Sequence, residues 1–412
     1  MRKFVSFLCV FLYFASPYRL FGYPMPELLG LVGVLLLVKS NPKVIIPPKY
    51  TLFFIYMVFI PVCVSFITGL PGNYIKSILP FGIILFTLNL CVLTPATSPQ
   101  LILRYYRYLV FIAIGYFIFQ ELSVILIGYR PTFYIPFLEM YYEDMKMTDF
   151  SESRMEIDRS SSFFLEPAHF VQYIIPYYCI KVSNCLQGHK IDKETILLTL
   201  VMLWIRSGCG YFVLSVIFIY LLLSNKNIKI SYKIIMSTTV VSSVAIILFL
   251  LKDNPYILHI LNRMSEFSTD VDASGPHSGF LRIWRGYFIY GIMPFLSKIF
   301  GVGPGSLDYV CSLYVNNDAG FEGTYMNGIQ SLLCIGGIFG LALFLVFLVH
   351  MYKKLSLSGR IIIISMMALF FIENMLFSPK MFLYILIAYN ISSYEHNKSR
   401  KKISRYINIQ NK

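Results

Sequence analysis

The stretch YMNGIQSLLCIGGIFGLALFLVFLVH, residues 325–350, contains no aspartate, glutamate, lysine or arginine. An apolar run of this length predicts an α-helix that crosses a hydrocarbon core of about 30 Å, because each helical residue adds about 1.5 Å. Eleven further apolar runs predict helices of the same kind. They lie at 4–18, 22–38, 51–70, 77–95, 108–128, 163–180, 194–206, 210–224, 234–251, 361–377 and 379–394.

The overall composition favours the same interpretation. Apolar residues make up 57% of the 412 residues, charged residues make up 14%, and the mean hydropathy is +0.67. Such a chain is too apolar for the surface of a water-soluble globular protein. We therefore predict an all-α polytopic membrane protein with about twelve transmembrane helices, forming one integral membrane domain over residues 1–412. The N-terminus has features of a signal peptide, but further runs follow at once, which favours an uncleaved first helix.

Lysine and arginine are unevenly distributed among the segments that connect the runs. Most of the 35 lie in alternate segments, beginning with Arg2 and Lys3 and ending with a basic tail at 395–412. Basic connecting segments stay on the cytoplasmic side of a membrane. This pattern predicts that both termini are cytoplasmic and that two long segments, 129–162 and 252–324, form outer loops with short amphipathic helices. The net charge of +14 then reflects orientation and contact with anionic lipids, not nucleic-acid binding.

The segment RSSSFFLEPAHF, residues 159–170, brings ionisable side chains to the start of an apolar run. If one helix includes the whole segment, five polar side chains share an arc of about 80°. These are Arg159, Ser162, Glu166, His169 and Tyr173. Such a stripe predicts a polar cleft that is open to the outer side. If the helix begins only at Glu166, Arg159 and Ser162 belong to the loop, and a purely structural Arg–Glu pair is the alternative to a functional role.

Four segments in this order resemble one family of membrane enzymes. RSSSFFLEPAHFVQYIIP (159–176), LWIRSGCGYFVL (203–214), FLRIWRGYFIYGIMPFLSKIFGVGPGSL (280–307) and YMNGIQSLLCIGGIFGLALFL (325–345) are similar to segments of bacterial O-antigen and capsule repeat-unit polymerases of the Wzy type. Arg282 occupies the position of a functional arginine in that family. The resemblance implies that 129–162 and 252–324 are periplasmic loops of an inner-membrane protein.

The resemblance also implies a reaction. Such a polymerase transfers the growing glycan from undecaprenyl pyrophosphate onto an incoming lipid-linked oligosaccharide repeat unit, without a metal or a cofactor. Its implied partners are that oligosaccharide, the lipid bilayer and a chain-length regulator in the same membrane. Guanidinium groups suit the charge that develops on pyrophosphate, and a carboxylate can accept the proton of the acceptor hydroxyl.

These requirements select candidate residues. The expected catalytic residues are Glu166, Arg282 and Arg159. The expected substrate-binding residues are Arg206, Arg285, His169, Tyr173 and Asn327. Three of these assignments have structural alternatives: Arg285 as a contact to lipid headgroups, Arg206 as a snorkelling side chain, and His169 as a buried histidine with satisfied hydrogen bonds.

Two other functions stay open from the sequence. An O-antigen ligase is expected to share this fold, but the histidine of its HN motif is replaced here by Met326, next to Asn327. A lipid-linked oligosaccharide flippase also commonly has twelve spans. Transporters usually contain two related halves joined by short loops, and neither feature is visible in this chain.

Overall fold

The computed structural model describes residues 2–40, 48–68, 98–131, 138–140, 159–186, 190–224, 231, 284–303 and 326–410. These residues form a bundle that is mostly helical. The helices are α1 (Arg2–Phe14), α2 (Met25–Ser40), α3 (Pro48–Thr68), α4 (Pro99–Ile127), α5 (Pro167–Leu186), α6 (Lys193–Trp204), α7 (Gly208–Ser224), α8 (Gly286–Ile292), α9 (Phe295–Phe300), α10 (Gly328–Lys354), α11 (Leu357–Phe370) and α12 (Pro379–Gln410).

Three short strands accompany the helices within these ranges. They are β1 (Tyr18–Leu20), β2 (Tyr23–Pro24) and β3 (Glu139–Met140). Strand β1 lies between β2 and β3 and is antiparallel to both. The small sheet joins the connection between α1 and α2 to the segment that follows α4. The predicted all-α class is therefore confirmed for the part of the chain that is described.

Ten of the predicted apolar runs coincide with a described helix, whereas the runs 77–95 and 234–251 lie outside the described residues. Helices α8 and α9 are short and fall within the segment 252–324, where short helices were expected. Within the described ranges, two helices, Pro99–Ile127 and Gly328–Lys354, are long and apolar enough to span a membrane by length and composition. The count of twelve spans therefore stays a prediction.

Helix α5 lies at the centre of the bundle and contacts α4, α6, α7, α11 and α12. Its Tyr173 ring packs edge to face against Tyr106 of α4, with ring centroids 5.5 Å apart. The Tyr106 hydroxyl donates to the Tyr173 carbonyl, and the Tyr384 hydroxyl of α12 donates to the Gln172 carbonyl at 2.9 Å. Large aromatic side chains therefore fill this core, and their hydroxyl groups are hydrogen-bonded, as burial requires.

One end of the bundle, called here the Lys181 end, gathers charges from three helices. Lys181 Nζ of α5 lies 2.7 Å from Asp192 Oδ2 and 2.6 Å from Glu194 Oε2, and Arg107 of α4 pairs with Glu194. Partial burial opposes ionisation of Asp192, but the hydrogen bonds from Lys181 and Thr195 prevail and lower its pKa to about 2. Segments assigned to the cytoplasm by their charge pattern thus meet at one end.

Helix α10 is interrupted at Gly337, where φ is 65° and ψ is −169°. The interruption frees backbone carbonyls, and a neighbouring segment binds them: Val302 N donates to Cys334 O and Gly303 N donates to Ile335 O, both at 3.0 Å. The Tyr56 hydroxyl of α3 donates to Gly336 O at 2.9 Å. A helix break inside an apolar bundle is stable only when its polar groups are satisfied in this way.

Candidate active site

The loop before α5 is fixed in a turn that ends the predicted polar stripe. Helix α5 begins at Pro167, and Ser162 has a φ of 55°, in the left-handed region. The Ser162 amide donates to Gln120 Oε1 at 2.8 Å, and its hydroxyl donates to the Ala113 carbonyl at 2.7 Å. The prediction of one helix through residues 159–173 is therefore wrong. The alternative, with Arg159 and Ser162 in the loop, is confirmed. The helix begins at Pro167 because proline favours the first turn of a helix.

Arg159 and Arg206 meet at the opposite end of the bundle from Lys181. Arg159 Nη1 donates to the carbonyl oxygen of Arg206 at 3.1 Å. Arg206 has a φ of 54° and lies in the tight turn between α6 and α7. Its Nη2 is 4.0 Å from Glu121 Oε2, which also accepts a hydrogen bond from Trp204 Nε1 at 3.1 Å. The turn thus brings two guanidinium groups and a buried carboxylate into one neighbourhood.

A second polar group, called here the Glu373 cluster, consists of His169, Gln172, Glu373 and Lys380. His169 Nε2 lies 3.4 Å from Glu373 Oε1. Gln172 Nε2 and Lys380 Nζ both donate to the Glu373 carboxylate. Three polar side chains, two from α5 and one from α12, therefore converge on the carboxylate of Glu373 in the turn between α11 and α12.

Helices α1 and α7 complete the surroundings of the Glu373 cluster. The Tyr13 hydroxyl of α1 donates to the His169 carbonyl at 2.8 Å and lies 3.3 Å from Gln172 Oε1. Gln172 Nε2 also lies 3.5 Å from Cys209 Sγ, at the start of α7. Because Cys209 lies three residues after Arg206, the arginine pair and the Glu373 cluster are neighbours.

The backbone of Glu373 is held as firmly as its side chain. Helix α11 ends at Phe370, and the Glu373 amide donates to the Leu369 carbonyl at 2.9 Å. The Glu373 carbonyl accepts from the amide of Gly328, the first residue of α10, at 3.0 Å. The turn between α11 and α12 is therefore anchored to the start of α10.

The site is partly open. The side chains of His169 and Glu373 are 20% and 22% exposed, and that of Arg206 is 26% exposed. An imidazole, a carboxylate and a guanidinium in this neighbourhood therefore each have part of their surface accessible. Ionisable groups in an apolar bundle are costly, so such a group of them is a candidate functional site.

Glu166 and three other candidates have been placed by the structure. Glu166 is partly exposed just before α5, and its carbonyl accepts from Phe170 N at 3.2 Å. Tyr173 is fully buried, and its hydroxyl lies 3.4 Å from the Val10 carbonyl. Asn327 caps α10, since its side chain accepts from Gln330 N at 2.9 Å. Arg285 is only 1% exposed, so the alternative in which it contacts lipid headgroups is wrong.

Arg282 lies outside the described residues. The catalytic and substrate-binding roles of the other candidates stay predictions. In the part of the chain that is described, no group of three or more His, Cys, Asp and Glu side chains is arranged to hold a metal ion.

Sequence reasoning missed Glu121, Gln172, Glu373 and Lys380. Each lies in or beside an apolar run, where an ionisable or amide side chain is itself a signal because it needs a buried partner. Attention to the charges within the run FFIENMLFSPK would have identified Glu373 and Lys380. Gln172, a further partner of Glu373, could not be found in this way, because it lies 201 residues earlier in the chain.

Comparison with known proteins adds no family assignment. No family model matches the chain, and no curated protein matches it. The resemblance to repeat-unit polymerases therefore rests on the four quoted segments alone.

Proposed function

We propose that this protein is an O-antigen or related surface-polysaccharide polymerase of the bacterial inner membrane. It transfers the growing glycan from undecaprenyl pyrophosphate onto an incoming lipid-linked oligosaccharide repeat unit, at the periplasmic face. The observation that carries this proposal is the contact between Arg159 and Arg206, from two distant loops, beside the partly open Glu373 cluster. Arg282 and Arg285 are the further cationic candidates.

The chemistry of the leaving group supports this assignment. When the bond from the sugar to pyrophosphate breaks, negative charge develops on a phosphate oxygen. Two guanidinium groups can stabilise that charge without changing their protonation, and they bind phosphate with a fixed, forked geometry. The Arg159 side chain is already oriented by the Arg206 carbonyl, which reduces the reorganisation needed during the reaction.

The location of the arginines suits a lipid-linked substrate. They lie at one end of the bundle, and the Lys181 end lies at the other. Along α5, Lys181 is about 18 Å from His169, at 1.5 Å per residue. A polyprenyl chain could then occupy the bilayer beside the apolar helices while its pyrophosphate reaches the arginines at the boundary. This arrangement agrees with a glycosyl transfer that takes place at a membrane surface.

The two described arginines provide the decisive test. We expect Arg159→Ala and Arg206→Ala to reduce polymer formation about a hundredfold, since loss of one charge-stabilising donor raises a barrier by roughly 3 kcal/mol. Lysine should restore little, because it keeps the charge and loses the fork. The glycan ladder of a deletion strain that expresses each variant at matched level is the measurement.

Arg104→Ala is the matched control, because Arg104 is exposed on α4 near the Lys181 end. It should leave the ladder unchanged. Normal ladders from both site variants would remove these arginines from the mechanism.

Glycan analysis of the deletion strain separates the three functions considered. A polymerase deletion leaves single repeat units attached to the acceptor lipid. Loss of a ligase leaves intact polymer on the carrier lipid, and loss of a flippase traps repeat units on the cytoplasmic face.

A further inference from the structure

We propose that His169 is the proton acceptor of the transfer reaction and that Glu373 is the positioning residue that orients the imidazole and stabilises its protonated form. This inference rests on the proposed function and deepens it. It moves the acid–base role from Glu166, where the sequence led us to expect it, to a pair that the fold assembles from α5 and the turn before α12.

The geometry of the pair carries the argument. His169 Nε2 lies 3.4 Å from Glu373 Oε1, while the His169 backbone is fixed by the Tyr13 hydroxyl at 2.8 Å. The Glu373 carboxylate is in turn held by Gln172 and Lys380. An imidazole held by a fixed carboxylate is a common arrangement for a general base, because the carboxylate stabilises the imidazolium that forms.

The hydrogen-bond partners of Glu373 distinguish that carboxylate from His169 as a proton acceptor. Glu373 accepts hydrogen bonds from an ammonium and an amide, and such partners stabilise its charged form and make it a poor proton acceptor. An imidazole is the side chain that ordinarily exchanges a proton near neutral pH, which suits general-base catalysis. Its side chain is 20% exposed, so a sugar hydroxyl can approach it.

The proposed step balances as a substitution at the anomeric carbon. The acceptor hydroxyl oxygen attacks that carbon and forms the new glycosidic bond. The bond to the pyrophosphate oxygen breaks, and its electron pair leaves with the pyrophosphate, which Arg159 and Arg206 stabilise. Nε2 of His169 holds its N–H toward Glu373 before and after the transfer, so the hydroxyl proton passes to Nδ1, from which solvent later removes it.

Charged and titratable groups lie around His169 on the elements packed against it. Glu373 pairs with the imidazole, Tyr13 of α1 donates to the His169 carbonyl, and Lys380 of α12 pairs with Glu373. Glu166 lies three residues before His169, and Cys209 of α7 contacts the neighbouring Gln172. Changes at Glu373 and Lys380 should have opposite effects on the stability of the His169 imidazolium. Removing the Glu373 charge destabilises the imidazolium, whereas removing the Lys380 charge stabilises it.

The test measures polymerisation as a function of pH. The full-length protein is reconstituted in liposomes with lipid-linked repeat units extracted from the deletion strain. Activity of the wild type should fall at low pH as His169 becomes protonated. Glu373→Gln should move the midpoint of this acid limb to lower pH, and Lys380→Met should move it to higher pH. Lys398→Met, an exposed position on the same helix, is the control and should leave the midpoint unchanged.

His169→Gln should lower the rate at neutral pH by roughly a hundredfold to ten-thousandfold, with substrate binding retained and the acid limb lost. If the His169→Gln variant polymerises at the wild-type rate with the wild-type pH profile, the role proposed for His169 is overturned. The proposed function of the protein then still stands. If His169→Gln does not fold, the variants Glu373→Gln and Lys380→Met decide. Acid limbs that do not move, or that move in the same direction in both variants, overturn the proposal. Absence of polymer from the wild-type protein with these substrates would instead contradict the proposed function.

Discussion

Charged side chains in the interior of this bundle are held by partners from distant parts of the chain. Glu121 of α4 receives Trp204 and Arg206 from the end of α6 and the following turn. Glu373 receives Gln172 from a position 201 residues earlier. A lone carboxylate in such surroundings is costly, so these contacts are required for stability whatever chemistry the site performs.

Asp192 allows a test at the scale of one residue, because its pKa is lowered from 3.8 to about 2. A carboxyl whose pKa is depressed in the folded protein stabilises it above the ordinary pKa, and that contribution is lost as pH falls through the folded value. We expect Asp192→Asn to flatten the dependence of Tm on pH between 3.8 and about 2. Asparagine keeps the cap on Thr195, so the comparison isolates the charge.

Thermal melting in detergent, measured at matched ionic strength, provides the readout for Asp192→Asn. Curves of Tm against pH that run parallel in wild type and variant would contradict the assignment of this carboxyl to the pair with Lys181.

Single residues show what the sequence could reveal about the site. Arg159, Arg206 and His169 were identified because ionisable groups at the edge of an apolar run are unusual in any single sequence. The contact of Arg159 with the carbonyl of Arg206 was not predictable, because it depends on a left-handed turn that no local pattern specifies. The helical spacing that grouped Tyr173 with Arg159 was misleading, because the helix begins eight residues after Arg159.

At the scale of elements, the contact between the α10 break and the residues after α9 depends on two glycines. Gly301 has a φ of 81° and Gly337 a φ of 65°. A Cβ at Gly301 would collide with the Ile335 carbonyl, and one at Gly337 would collide with the Ile299 carbonyl. Each backbone thus approaches the other more closely than any side chain permits.

We therefore expect Gly301→Ala and Gly337→Ala to destabilise the protein by at least about 1–3 kcal/mol from backbone strain alone. Their Tm should fall by several degrees, or the protein should fail to accumulate. Gly115→Ala is the control, because an added Cβ there meets nothing within 4 Å. Equal melting of all three variants would show that the close approach does not contribute to stability.

Elements with strong apolar runs were predictable, and irregular ones were not. The runs at 108–128 and 325–350 match the two spanning candidates found among the described residues, because apolar length alone specifies such helices. The break at Gly337 went unpredicted, since a glycine within a run is compatible with an unbroken helix. What stabilises the break is the distant pair Val302 and Gly303, which the local sequence cannot indicate.

At the scale of the whole molecule, the orientation is a prediction from the basic residues. In a variant without native cysteines, single cysteines at Tyr23 and Tyr129 should react with an impermeant maleimide in intact cells. Ile191→Cys should react only after the membrane is permeabilised. All three positions are exposed, so accessibility alone does not separate them. Labelling of Ile191→Cys and of neither tyrosine position in intact cells would reverse the orientation.

The contact at the α10 break has a consequence for how this protein can vary. The segment 304–325 lies outside the described residues, but the residues on either side of it are both held against α10. Gly303 donates to the Ile335 carbonyl, and Asn327 caps the start of the helix. Asn327 and Ile335 are about 12 Å apart along α10, at 1.5 Å per residue. With both ends held this closely on one helix, a change in the number of residues between them need not move α10, since doubling the length of a connection costs only about 0.6 kcal/mol of closure entropy.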